Sequence, residues 1–175
     1  MNDENNEVNA EKFKNNLLLL LDLINEIIDY GKSNGINIDI DNTVFIGSKF
    51  FINKSDKIFL IKNFISKSYE YWDSIKNKDE DFLKNNCNIL FNELPEKYID
   101  IFKNMFEYKL EDGSLLLDED VKNNIWELIF ALINNSINHI YQIREMSKDP
   151  VTLKYTKNYF PIIKIKNEKE KWNIK

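Results

Sequence analysis

Few residues in this 175-residue chain are equipped for chemistry. It holds one histidine, His139, one cysteine, Cys87, and one arginine, Arg144. A zinc enzyme of the common helical type needs two histidines one turn apart with a glutamate between them, and no His-Glu-x-x-His occurs. Arg144 follows His139 by five residues, the reverse order and a looser spacing than an arginine–histidine pair set to cleave RNA. Cys87 and His139 form the only Cys–His combination, and no glycine-rich elbow frames either one. Gly-x-Ser-x-Gly, the phosphate loop and Gly-x-Gly-x-x-Gly are all missing, so hydrolase and nucleotide-binding readings lose their motifs. The expectation is no catalytic residue, no cofactor and no metal. His139 reads as a helix histidine and Cys87 as a buried structural thiol.

The carboxylates come next. If Gly113 took the sixth place of a calcium loop, Asp112 would stand fifth and Glu119 twelfth. Tyr108 and Leu110 would then occupy the first and third ligand places, and neither can coordinate. Asp79-Glu80-Asp81 and Asp118-Glu119-Asp120 each stand at a predicted helix start, where negative charge complements the helix dipole. Dipole complementarity accounts for both clusters without a metal or an acid–base role.

The distribution of charge is uneven. The chain is net −5, but residues 144–175 carry nine Lys or Arg against four acidic residues. Aromatic residues are interleaved with those lysines. Lys154, Tyr155, Lys157, Tyr159, Phe160, Lys164, Lys166 and Trp172 form a basic aromatic arm, the candidate contact for a partner or for nucleic acid. Lysines can hold phosphates while rings stack on bases. The single arginine and the acidic body argue for restraint, because arginine supplies most bidentate phosphate and guanine contacts. The arm can equally fold back, its lysines meeting the carboxylates of the body.

The elements that would position these residues are helices. Four glycines and three prolines are too few for the turns of an all-β domain. Phe13, Leu17, Leu20, Leu21, Ile24, Ile27 and Ile28 recur with helical period, which predicts a helix from Ala10 to Tyr30. Gly31 or Asn34-Gly35 supplies its left-handed exit. Ile36 to Ile40 alternates and reads as an extended connector, its isoleucines toward the core. Asp41, Asn42 or Thr43 caps a short helix over 44–52. The rival is a β-hairpin of 43–52 with 57–65. Ser55 reads as the cap of a helix running to Lys76, with Ile58, Ile61, Ile65, Ser68, Trp72 and Ile75 on one seam. Asp79 caps a helix over 80–91, and Pro95 opens the next, with Tyr98, Phe102, Met105 and Phe106 inward. The longest helix is expected from Asp118 to Met146, roughly 43 Å at 1.5 Å per residue, and central to the fold. Residues 151–175 look extended, apart from a short helix over 168–173.

The fold class is therefore all-α. A compact bundle of five to six helices is expected, with a long central C-terminal helix and an extended basic arm. The divisions are a disordered 1–9, a helical domain over 10–149 and the arm over 150–175. A chain of this length buries about 70% of its unfolded surface and needs neither disulfide nor metal for stability. One cysteine suits a reducing compartment. The polar, acidic N-terminus resembles neither a signal peptide nor a presequence, and the longest apolar run, Leu17 to Leu21, is far short of the roughly 20 residues of a membrane span. The expected setting is cytoplasmic, without a membrane partner.

Asn42-Thr43-Val44-Phe45-Ile46-Gly47-Ser48-Lys49, Leu83-Lys84-Asn85-Asn86 and Asn158-Tyr159-Phe160-Pro161 resemble strings in uncharacterised helical proteins of giant nucleocytoplasmic large DNA viruses. The Lys-, Asn- and Ile-rich composition agrees with an AT-rich genome. The resemblance implies a viral source and the host cytoplasm or the virion as location, and it transfers no functional residue. The expected function is a non-enzymatic interaction or structural protein, possible roles being a virion or viral-factory component with a protein partner. The alternative is a nucleic-acid-binding accessory protein that uses the arm.

Overall fold

The computed structural model describes residues 3–89, 96–146 and 168–174. Within them the chain is helical. The elements are α1 (Asp3–Ser33), α2 (Asn42–Lys54), α3 (Lys57–Ser68), a 3-10 turn at Tyr69–Tyr71, α4 (Trp72–Lys76) and α5 (Glu80–Asn85). A second 3-10 turn at Cys87–Ile89 follows, then α6 (Glu96–Asn104), α7 (Glu119–Met146) and α8 (Glu168–Lys171). The all-α expectation holds, with the long C-terminal helix at its centre.

The core is the seam between α1 and α7. Phe13, Leu20 and Ile28 of α1 and Ile129, Leu132, Ile133, Ile137 and Ile140 of α7 are almost wholly enclosed. Two amide pairs set the register. Asn9 Nδ2 donates to Gln142 Oε1 at 3.0 Å, and Asn16 Nδ2 donates to Asn135 Oδ1 at 2.8 Å. Seven residues forward on α1 answer seven residues back on α7, so the helices run antiparallel.

α2 and α3 flank α1. Lys49 Nζ of α2 lies 2.7 Å from Asp22 of α1, while Lys14 Nζ donates to the carbonyls of Asn53 and Ser55 at 2.9 and 3.1 Å. α2 therefore descends α1 antiparallel, and α3 starts where Lys57 meets Glu7 at 2.7 Å. Phe64 of α3 then packs on Phe13, their centroids 5.1 Å apart.

Several boundaries depart from the sequence reading. The first helix begins at Asp3 and runs on to Ser33, with Gly31 inside it. Gly31 serves close packing, since a Cβ there would lie 3.0 Å from Ile38 Cδ1 and 3.2 Å from a Leu116 methyl. The left-handed exit is Gly35, at φ +84°. The connector behaves as expected, with Ile38 and Ile40 buried. The hairpin alternative is excluded, because 43–52 and 57–65 are both helical. Asp56, not Ser55, caps α3 and accepts from Phe59 N–H at 2.8 Å, while the Ser55 hydroxyl closes α2 on the Phe51 carbonyl.

The helix expected to reach Lys76 breaks at Ser68. Buried Ser68 Oγ accepts from Trp72 Nε1 at 2.9 Å, and Tyr69 packs edge-on against Trp72. The tight turn lets Trp72 and Ile75 stay on the seam. α5 stops at Asn85, short of Phe91. The Asn85 and Asn86 amides bond back to the Asp81 and Phe82 carbonyls, which competes with helix continuation. Pro95 lies outside the described residues.

The Asn16–Asn135 pair yields a test. Asn16→Ala should cost about 1–3 kcal/mol in urea unfolding, because it strands a buried amide oxygen. Replacing both asparagines with Leu should cost less than that single change.

Candidate functional site

Most residues singled out for chemistry are employed by the fold. Asp79 Oδ1 accepts from Phe82 N–H at 2.9 Å, and Asp118 Oδ1 accepts from Val121 N–H at 2.8 Å, so both acidic clusters cap helices. Burial would raise the pKa of Glu80, but Lys122 at 3.0 Å and Lys84 at 3.4 Å outweigh it and hold the carboxyl low. Asp112 turns onto Ser114, whose hydroxyl and N–H lower its pKa. The surrounding loop is pinned by Leu110 N–H to Ser114 O and Leu116 N–H to Tyr108 O, each 2.8 Å, with Gly113 at φ +84°. Among the described residues no group of three metal-ligating side chains gathers.

Cys87 is buried, and burial pushes its thiol pKa up, away from reactivity. It borders an apolar cavity of about 40 Å³ with Leu20, Ile24, Leu83, Phe102 and Ile129. Its lining is apolar, so it offers no convergent polar groups to orient a ligand. His139 sits 2% exposed on α7 beside buried Ser136. Burial, and then the charge of Lys62, lowers its pKa from 6.5 to about 4, leaving a neutral imidazole at physiological pH.

Of the predicted arm, Lys154, Tyr155, Lys157, Tyr159, Phe160, Lys164 and Lys166 lie outside the described residues. Trp172 is described, and it faces the body. Its ring meets Phe130 of α7 edge-on at 5.4 Å, and Phe130 in turn meets Trp126 at 6.1 Å. Lys169 Nζ lies 4.9 Å over the Tyr141 ring. Lys171 Nζ reaches Glu168 at 3.5 Å and Asp73 at 3.6 Å, and those two carboxylates raise its pKa. Glu168 itself is only 4% exposed. Burial and then the Glu168 charge raise the pKa of Tyr69, which marks the α3 side of this contact. At α8, therefore, a lysine and an aromatic of the basic segment meet a carboxylate and an aromatic of the body.

A second surface escaped the sequence reading. α2 buries Phe45 and Ile52 against the core, yet Ile46, Phe50 and Phe51 on its other side are 66%, 64% and 55% exposed. Phe59, in the first turn of α3, is 55% exposed. Lys54 Nζ lies 5.8 Å from the Phe50 ring centroid, and the space beyond Gly47 is open. A helix apolar on both sides is ordinarily covered on both. The available signal was the density of apolar residues in Val44 to Ile52, too many for one buried stripe.

No protein-family model, curated protein or solved structure matches this chain. Among the described residues no helix is long and apolar enough to cross a membrane.

Two outcomes follow. Trp172→Ala should lower stability by about 1–3 kcal/mol and Trp172→Phe by less, because Phe keeps the edge contact with Phe130. Thermal unfolding of the three proteins checks this. For His139, the folded pKa lies below the unfolded one, so the unfolded chain binds more protons between pH 6.5 and about 4. The histidine's contribution is present above pH 6.5 and is lost as pH falls toward 4. The stability difference between the native protein and His139→Gln should narrow by about 3 kcal/mol across that window, measured by urea unfolding at each pH.

Proposed function

We propose that this protein is a non-enzymatic interaction or structural protein that works through a stable protein contact. One observation carries the reading: the outward face of α2, where Ile46, Phe50 and Phe51 stand mostly exposed. Contiguous exposed apolar side chains of this size on an otherwise buried-core fold mark interaction surfaces. Among the described residues they take no part in the core. The neutral buried His139 and the buried Cys87 support a non-enzymatic role, since each is absorbed into packing. The likeness of the strings over 42–49, 83–86 and 158–161 to giant-virus helical proteins is the support for a virion or viral-factory setting in the host cytoplasm.

The full chain, affinity-purified from native lysate with and without nuclease, tests this. The expected result is a stoichiometric protein partner, or a self-assembly, that survives nuclease and is lost in Phe50→Ala/Phe51→Ala. A monodisperse monomer that returns alone overturns the proposal. Capture that vanishes with nuclease, and binding that falls steeply with salt, moves the assignment to a nucleic-acid accessory protein using the arm from Lys154 to Trp172.

A further inference from the structure

The outward face of α2 has a definite pattern. Thr43, Ile46, Gly47, Phe50, Phe51 and Lys54 all point to solvent. They cover roughly 17 Å of helix at 1.5 Å per residue. Gly47 stands one turn from both Phe50 and Phe51, and a Cβ built on it would meet nothing within 4 Å. The face therefore alternates large rings with an open notch. Its ends differ in charge. Asp41 caps the N-terminus, its exposed carboxylate accepting from Thr43 N–H at 2.8 Å, and Lys54 closes the C-terminus.

We infer that this face is a self-association surface, on which α2 of a second copy packs antiparallel about a two-fold axis between Gly47 and Phe50. This deepens the interaction reading above and rests on it, naming the partner as a second copy. In that arrangement Phe50 of each copy enters the notch over the other's Gly47. Ile46 packs against Phe51, and each Lys54 comes within reach of the other copy's Asp41. Two-fold contacts must be self-complementary in this way, and antiparallel helices also oppose their dipoles favourably.

Charge decides among occupants. The face carries a carboxylate, Asp41, at its N-terminal end and an ammonium, Lys54, at its C-terminal end. A surface of mixed sign fits its own rotated image. It fits an anionic lipid surface or a uniformly acidic peptide less well, because Lys54 alone would attract them and Asp41 would oppose them. Ile46, Phe50 and Phe51, each more than half exposed, offer roughly 300 Å² of apolar area per copy, the apolar centre of a small, reversible contact with Thr43, Asn53 and Lys54 at the rim.

Sedimentation equilibrium of the full chain over a concentration series tests the proposal, with circular dichroism and thermal unfolding to verify that each variant folds. The native protein should dimerise reversibly. Phe50→Ala/Phe51→Ala should weaken the dimer about 100-fold or more while leaving the fold intact, since both rings are exposed in the monomer. Lys54→Glu should weaken it about tenfold by setting Glu against Asp41, and adding Asp41→Asn, which keeps a capping side chain, should restore most of the loss. A protein that stays monomeric throughout overturns the proposal, as does a dimer indifferent to the Phe changes or a Lys54→Glu defect that Asp41→Asn does not relieve. Monomeric protein that sediments with phosphatidylserine vesicles overturns it in favour of lipid. Failure here leaves the interaction reading to the lysate experiment, where a different protein can still be captured.

Discussion

The antiparallel pairing of α1 with α7 is the constraint on which the other elements depend. Its energy comes from walls of Leu, Ile and Phe, each buried side chain contributing about 1.5–3 kcal/mol. Such walls are poor at specifying alignment, because one isoleucine slides past another at little cost. The buried amide of Asn135 is the discriminating element. Only Asn16 answers it at 2.8 Å, and the Asn9–Gln142 pair two turns away fixes the same offset. A slip of one turn would leave these amides without each other inside the seam. Once the register is set, Asp22, Glu7 and Glu11 on α1 fall where Lys49 and Lys57 can clip α2 and α3 in place. Phe130 and Tyr141 on α7 likewise fall where α8 lands.

The same economy governs the carboxylates. A chain of net −5 with many acidic clusters invites metal readings. Yet Asp41, Asp56, Asp79 and Asp118 each spend an oxygen on a backbone N–H at a helix start. A helix leaves its first N–H groups unpaired, and a fold with many short helices has many such groups to satisfy. Helix capping therefore employs four of the 29 acidic residues, among them the leading aspartate of each acidic cluster.

What was legible in the sequence follows from this physics. The faces of α1 and α7 could be read because burial of one stripe imposes a 3.6-residue period. Asp79 was legible as a cap because no rival stands beside it, whereas Asp118, read as the first residue of the long helix, is its cap. Ser55 and Asp56 are both good caps, and the choice falls to Asp56, which reaches Phe59 N–H while Ser55 is held by the Phe51 carbonyl. The break at Ser68 was hidden, because Trp72 and Ile75 stay buried on the seam across it and the apolar period runs on through the turn. The outward face of α2 was hidden for a related reason. When apolar residues lie on both sides of a helix, periodicity cannot say which side is inward.

That face also separates two roles that apolar residues play. Phe45 and Ile52 leave water on folding, so they stabilise the monomer. Ile46, Phe50 and Phe51 stay mostly in water in both the unfolded chain and the folded monomer, so they add little to folding. Most of their hydrophobic gain remains available to an association. Phe50 and Phe51 are neighbours in sequence and equal in chemistry to Phe45, yet the direction each takes from α2 assigns it to contact with another surface, while Phe45 is assigned to the core.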